Sequence, residues 1–452
     1  METSSSPAAG WDGARPAGPA PSQPAHFDAP SLVQLVASLI GALGLLGLVV
    51  VLALQGLALF QRGNKAELLT LSLLAAGMAF CALLLLPSAW FSLLRLRGCR
   101  PMSTLPEKFP RRMALLLGLL VIVPVTLIAG TYIVDESEWA WLIMPPLQVI
   151  VVAIPIAWLI HLGCYHLPLG SAQRKWGIFS SSLVLGPLFI IGLEAFVGAL
   201  LFGAVLALLL SQPGAAEALQ RVAALFQQDS PLPLEQITPM LEETASALLP
   251  YLQRPIVAYA GIAFLVVIVP LLEEAVKPLS VWFLGGRKLT PPEGFAVGVL
   301  CGAGFAMMEN FGYTAAAEGN WGSIALARTG TAVMHVVTSG IMGWALSSTW
   351  RDGRYLRIAF MYVTVVFVHG FWNGLTVSFG LLGTQLTGTL DSALLFQLAA
   401  SGLLGLLLLV FLVALNGAMR RAIILPPERY PPAEISTPNE EYQNDGIPAS
   451  TD

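Results

Sequence analysis

Residues 264–278 read FLVVIVPLLEEAVKP, an apolar run that Glu273, Glu274 and Lys277 interrupt. A charged side chain at the centre of a bilayer costs about 2.5 kcal/mol or more, so such residues commonly face a cavity and serve a function. The next three apolar segments also carry acids or imidazoles, namely Glu309, His335 and His369. The sequence therefore predicts one polar site inside the membrane that four consecutive segments share.

The composition is that of a polytopic membrane protein. Of the 452 residues, 56% are hydrophobic and 11% are charged, and the net charge of −4 gives no support to a nucleic-acid partner. Apolar stretches long enough to cross a bilayer recur about ten times. We therefore predict an all-α transmembrane bundle with the polar site between spans six to nine. The predicted spans are 31–60, 68–94, 113–134, 139–160, 178–210, 255–284, 294–316, 324–347, 356–379 and 392–415.

The segments outside the spans differ in composition. Both ends of the chain are rich in proline and small or polar residues, which is typical of disordered tails. Between spans five and six, apolar residues recur at helical spacing, which predicts amphipathic helices in an extracytoplasmic loop. The predicted organisation is a tail (1–30), a membrane region of about five spans (31–210), the loop (211–254), a core with the polar site (255–379), a last span (380–422) and a second tail (423–452).

Basic residues concentrate in alternate loops, as is typical of loops on the cytoplasmic side. They follow spans two, four, six, eight and ten, and include Arg95, Arg174, Arg287, Arg354 and Arg420. With ten alternating spans, this pattern predicts a multi-pass protein of the cell membrane with both termini in the cytoplasm. Arg62 and Lys65 conflict with it, because they lie in a loop that would be outside.

The sixth span carries the densest group of charges. Glu273 and Lys277 are four residues apart and share a helix face, so they can pair. Glu274 points about 100° away from Glu273. One acid can thus be held by the lysine while the other faces a cavity as a general base.

The next three spans place polar groups on matching faces. Phe305 and Glu309 lie one turn apart in the seventh span, and His369 and Asn373 do so in the ninth. In the eighth span, Arg328 precedes a histidine by two turns, with Thr338 and Ser339 one turn beyond it. The seventh span also carries glycines at every fourth position, which lets a neighbouring helix approach closely. These glycines are Gly294, Gly298 and Gly302.

Three chemistries fit such a group. A carboxylate and an imidazole can activate water while a second histidine and an asparagine stabilise the oxyanion. Two histidines and a carboxylate can hold Zn²⁺ with one position left for water. The group can also relay protons or cations in a transporter, with which Glu194 in the fifth apolar run is compatible.

These motifs resemble those of the PrsW family of intramembrane proteases, which is related to the type II CAAX prenyl endopeptidases. The family is marked by Glu-Glu-x-x-Lys, Phe-x-x-x-Glu and His-x-x-x-Asp/Asn. In this chain, residues 273–277 read EEAVK, residues 305–309 read FAMME and residues 369–373 read HGFWN. Arg328 and His335 also resemble a family stretch. The resemblance covers the segment 255–379, which would then be the catalytic core, and does not reach the first five spans.

The resemblance implies an intramembrane endopeptidase that hydrolyses peptide bonds of a membrane-tethered protein substrate. The alternative class is a non-catalytic membrane scaffold or a proton- or ion-coupled transporter. The residues expected to form the site are Glu273, Glu274, Glu309, His335, His369 and Asn373, supported by Lys277, Phe305 and Arg328.

The cofactor is left open between zinc and none. The candidate zinc ligands are His335 and His369 with Glu274 or Glu309. The chain has no HExxH helix, so the usual zinc-protease motif is absent. Asn373 stands where the family also has a carboxylate, and an amide can donate to an oxyanion but is a poor metal ligand. This favours a water activated by glutamate without a metal.

Overall fold

A computed structural model describes residues 28–99, 109–211, 254–285, 289–317, 320–383 and 392–424, together with a few positions between 212 and 253. Every element in these ranges is a helix, as predicted. The helices are α1 Ala29–Arg62, α2 Lys65–Leu96, α3 Phe109–Glu136, α4 Ala140–Cys164, α5 Ala172–Leu210, α6 Pro255–Ala263, α7 Val269–Val276, α8 Leu279–Phe283, α9 Pro291–Ala315, α10 Trp321–Asp352, α11 Tyr355–Gly383 and α12 Ser392–Ile424.

The ten predicted spans all coincide with helices, the sixth with the interrupted series α6 to α8. In the part of the chain that the structure describes, eight helical stretches are long and apolar enough to cross a membrane. The other two predicted spans lie in α3, whose apolar stretch Leu120–Val134 is shorter, and in α10. The fold is thus the predicted polytopic helical bundle.

Helix α9 lies at the centre of the bundle. Its membrane-spanning window is 89% buried inside the protein, whereas that of α1 is only 11% buried. Helices α4, α5 and α10 all pack against α9. Since a helix that is enclosed on all sides meets little lipid, α9 can carry polar groups at membrane depth.

The glycine stripe of α9 sets its distance from α10. A Cβ atom on Gly294, Gly298 or Gly302 would meet the backbone of Gly343, Ser339 or His335, respectively. The two helices therefore approach to backbone contact, as the spacing predicts. This contact fixes the height of the His335 backbone beside α9.

Ion pairs between helix ends support the alternation of the spans. Lys65, at the start of α2, pairs with Glu138 just before α4 at 3.0 Å. At the opposite end of α2, Arg95 pairs with Asp28 at 3.2 Å. The turn that contains Arg62 and Lys65 therefore lies on the same side as the acidic turn between α3 and α4, despite its basic charge.

The sixth span is interrupted twice. A π-helical turn, Phe264–Ile268, separates α6 from α7, and Pro278 separates α7 from α8. Helix α7 is therefore an eight-residue helix that carries Glu273 and Glu274. Proline and π turns are the common causes of such breaks, because each disturbs the regular hydrogen-bond ladder.

Several predictions lie outside the described residues. These are most of the loop 211–254 with its amphipathic helices, most of the tail 1–30 and nearly all of the tail 423–452. At the inner edges of the two tails, α1 begins at Ala29 and α12 ends at Ile424.

Helix α9 has glycines that pack against α10 and a glycine with open space around it, and alanine substitution should affect them differently. We expect Gly298→Ala to destabilise the protein by about 1–3 kcal/mol, because its new methyl group has no room beside the Ser339 carbonyl. Gly312→Ala is the matched control, since nothing lies within 4 Å of its Cβ position. It should stabilise the helix by about 0.5–1 kcal/mol. Melting temperatures in detergent test this, and equal values for both variants would contradict it.

Candidate active site

The ammonium group of Lys277 lies at the centre of the buried polar cluster. Its Nζ is 2.7 Å from Glu273 Oε2 and 2.8 Å from Glu274 Oε1. It is also 2.6 Å from His335 Nδ1, while His369 Nδ1 is 3.4 Å away. The lysine thus contacts both acids, whereas the sequence suggested that it would hold one and leave the other free.

Opposite Lys277, the carboxylate of Glu309 contacts His335. Glu309 Oε2 lies 2.6 Å from His335 Nε2 and 2.6 Å from Arg328 Nη2. Arg328 Nε in turn donates to Asn310 Oδ1 at 2.8 Å. Since a carboxylate only accepts, Nε2 of His335 carries the proton, and its Nδ1 lone pair points to Lys277.

His369 is oriented in the same way by Glu274. Its Nδ1 lies 2.8 Å from Glu274 Oε1, which assigns the proton to Nδ1. Its Nε2 then faces Glu273 Oε2 across 3.8 Å, too far for a direct hydrogen bond. A gap of this size between two polar atoms suits a group that both can contact.

The two acids of α7 differ in what they contact. Glu274 is 0% exposed and bonds to both Lys277 and His369. Glu273 is 4% exposed, and its Oε2 has no hydrogen-bond partner even though Lys277 lies at ion-pair distance. Glu274 Oε2 also lacks a hydrogen-bond partner, but it is Glu273 Oε2 that faces His369 Nε2 across the gap, so Glu273 is the acid placed to accept from a molecule there.

Close packing of the helices brings these groups together. His335 lies where α10 touches Gly302 of α9, and its ring meets Phe305 edge-on at 5.1 Å. The Phe305 ring also lies 4.7 Å from Lys277 Nζ, within reach of a cation–π contact. Phe305 thus borders the cluster, as the sequence predicts for a supporting residue.

Asn373 lies one turn beyond His369 but does not bond to the cluster. Its Nδ2 donates to the carbonyl of Leu265 at 3.0 Å, inside the π-helical turn. The structure thus brings together every predicted site residue except Asn373, whose role in oxyanion stabilisation stays a prediction.

Among the residues that the structure describes, three offer atoms that could together hold a metal ion. The atoms from Glu273, His335 and His369 lie within 4.8 Å of one another. The acids proposed from the sequence, Glu274 and Glu309, instead bond to the two histidines.

The Lys277 ammonium already contacts two residues of this set. Lys277 Nζ lies 2.6 Å from His335 Nδ1 and 2.7 Å from Glu273 Oε2, so a metal on these atoms would have to displace the ammonium. The donor types suit zinc, but the arrangement shown suits an ammonium ion.

A model of the PrsW family intramembrane metalloproteases matches residues 180–415, about half of the chain. The chain belongs to the PrsW family. It is therefore a multi-pass membrane protein and an intramembrane protease. Comparison with curated proteins and with solved structures finds no match.

The PrsW match is wider than the motifs indicate. It includes most of α5 and much of α12, whereas the sequence resemblance was limited to 255–379. Within this extra part, Glu194 of α5 interacts electrostatically with Glu309 and Lys277. The Glu194 Oε1 atom is buried and has no hydrogen-bond partner. Like the other acids, Glu194 is an ionisable residue in an apolar run, which is a sign of a functional site. It belongs to none of the sequence motifs, so the sequence does not connect it to the cluster.

Removal of the central ammonium should destabilise this PrsW protein. We expect Lys277→Met to cost about 3–5 kcal/mol, because two buried carboxylates lose their shared cation. Adding Glu273→Gln and Glu274→Gln should recover most of the loss, since the amides carry no charge. Thermal unfolding of the purified protein measures both effects.

Lys65→Met is the control for this experiment, because it breaks a pair whose side chains are 59% and 80% exposed. Such surface pairs contribute little. If Lys277→Met and Lys65→Met had equal melting temperatures, the central role of Lys277 would be wrong.

Proposed function

We propose that this protein hydrolyses peptide bonds of membrane-associated substrates with a water molecule that Glu273 activates. The observation that carries this assignment is the gap of 3.8 Å between Glu273 Oε2 and His369 Nε2. Both atoms belong to buried side chains at membrane depth, and the acid oxygen has no hydrogen-bond partner. A base and an imidazole that face one small gap are what water activation requires.

The reaction begins when Glu273 takes a proton from the water as the oxygen attacks the peptide carbonyl. Negative charge then develops on the carbonyl oxygen, where the ammonium of Lys277 supplies the compensating positive charge. Fixed donors in a site without bulk water stabilise such charge strongly. The proton held by Glu273 passes to the leaving amine as the C–N bond breaks, which leaves an acid and an amine.

The remaining groups hold these residues in place. Glu274 fixes the orientation and tautomer of His369, and Glu309 does the same for His335. Arg328 supports Glu309 through their ion pair. These contacts keep the side chains in one geometry before a substrate arrives, which lowers the cost of reaching the transition state.

No metal-dependent step is part of this mechanism, because Lys277 takes the place that an ion would need. A zinc ion would lower the pKa of its bound water and polarise the substrate carbonyl. Here the carboxylate of Glu273 and the ammonium of Lys277 supply the corresponding base and positive charge.

The substrate that fits a site at membrane depth is a membrane-tethered protein. Loop charge supports a cell-membrane protein with both termini in the cytoplasm. Membership of a protease family favours this function over a scaffold or a proton-coupled transporter.

Neutral substitutions test the catalytic assignment. We expect Glu273→Gln, Glu274→Gln and His369→Ala each to lower cleavage of a co-expressed membrane-tethered reporter about 100-fold or more, because each removes part of the acid–base machinery. Protein levels should remain normal. Glu138→Gln is the control, since this exposed acid pairs only at the helix ends. Full activity in all three variants would refute the assignment, whereas loss of pH-driven ion uptake with no cleavage in any assay would favour a transporter.

Metal analysis tests the cofactor. We expect the wild-type protein to contain little zinc and to keep its activity in a chelator, because Lys277 occupies two of the three ligand atoms. Near-stoichiometric zinc that His335→Ala and His369→Ala both lose would show the opposite. The zinc content of Lys277→Met should also be compared with that of the wild-type protein, since this variant removes the ammonium from the position that an ion would take.

A further inference from the structure

We propose that Asn373 is a positioning residue that holds the π-helical turn of the sixth span open and so directs Glu273 and Glu274 toward the histidines. This role presupposes the proposed function, because it concerns the geometry of the same acids. It differs from the oxyanion role that the sequence motif predicts for Asn373.

The wide turn has a cause in the sequence. The Val269 N–H donates to the Phe264 carbonyl, five residues back, which is the π-helical pattern. Proline follows at position 270 and has no N–H to continue this pattern. The carbonyl that Pro270 would have bonded in the same register belongs to Leu265. Without an outside donor, this carbonyl would lack a partner inside the membrane, which costs free energy.

Helix α11 supplies that donor. Asn373 Nδ2 donates to Leu265 O at 3.0 Å. One turn earlier, Gly370 lies against the Val266 carbonyl so closely that a Cβ atom would not fit. Beyond Pro270, the Tyr362 hydroxyl donates to Leu271 O at 2.6 Å. Helix α11 thus contacts the backbone on both sides of the proline.

Along α11, the residue that contacts Glu274 lies between the residues that make these backbone contacts. His369 reaches Glu274 from the same helix, at 2.8 Å. The wide turn contains one residue more than a regular helix would need. If it closed into an α-helix, every residue beyond it would turn by about 100° and move by about 1.5 Å. Glu273 and Glu274 would then leave their histidines, so the register of the acids depends on the turn.

Two readouts distinguish this role from direct catalysis. We expect Asn373→Ala to lower kcat of reporter cleavage about 100-fold with little change in KM, because misplaced acids slow the chemical step. We also expect the amide hydrogens of residues 264–269 and 271 to exchange about fivefold faster, because the turn loses a hydrogen bond. Thr376→Ala is the matched control, since its hydroxyl bonds only within α11 and both readouts should stay at the wild-type level.

Each alternative gives a different result. Slower cleavage with unchanged exchange would overturn the positioning role and support an oxyanion role. Faster exchange with unchanged cleavage would also overturn it, because the turn would not matter for the reaction. If the wild-type protein cleaved no substrate, the proposed function would fail. Unchanged exchange in Asn373→Ala would still overturn the contribution of Asn373 to the π-helical turn.

A rescue variant provides an independent test. Deletion of Val267 together with Pro270→Ala removes the extra residue and restores the missing N–H, so a regular helix can join the same two flanks. In this background, Asn373→Ala should cost less than about fivefold, because no wide turn needs support. An undiminished loss in an active background would overturn the inference. If the shortened protein is inactive, the test rests on amide-hydrogen exchange in Asn373→Ala and the wild-type protein, where unchanged exchange would overturn the inference.

Discussion

The structure of this site depends on the ion pairs that Lys277 makes with Glu273 and Glu274 inside the membrane. Two carboxylates side by side in a medium of low polarity repel each other and lose their hydration. The ammonium between them offsets both costs and joins the acids to His335. Helix packing, the histidine contacts and the break at Pro278 all bring this lysine to the centre of the cluster. Its position also places a positive charge where a metalloprotease would have its ion.

The sequence predicts the fold and most of the site because the cost of charge in lipid is high. Ionisable residues within apolar spans avoid lipid by facing one another. The hydropathy pattern therefore predicts that four of them converge: Glu273, Glu309, His335 and His369. The glycine spacing of α9 predicts its contact with α10 for an equally general reason. The motif order then identifies the family, and the family match confirms it.

The details that the sequence does not predict depend on local geometry. Helical spacing suggested that Lys277 would hold one acid, but its flexible side chain reaches residues both three and four positions earlier. The π-helical turn before the acids has no reliable pattern in a sequence, so the contact from Asn373 to Leu265 was not foreseen. In the sequence Glu194 is a single acid in an apolar run, and no residue spacing indicates that α5 packs beside the cluster.

The burial of α9 has a consequence for how the protein responds to its bilayer. Membranes differ in hydrocarbon thickness, and helices at the lipid boundary adjust by tilting or by deforming the lipid around them. The span of α9 is 89% enclosed by protein, whereas that of α1 is 11% enclosed. Outer helices such as α1 therefore absorb hydrophobic mismatch, while the helix that carries Glu309 keeps its depth relative to its partners. The reaction centre therefore joins one shielded helix to two that meet the lipid, because the sixth span and α11 are only 6% and 22% enclosed.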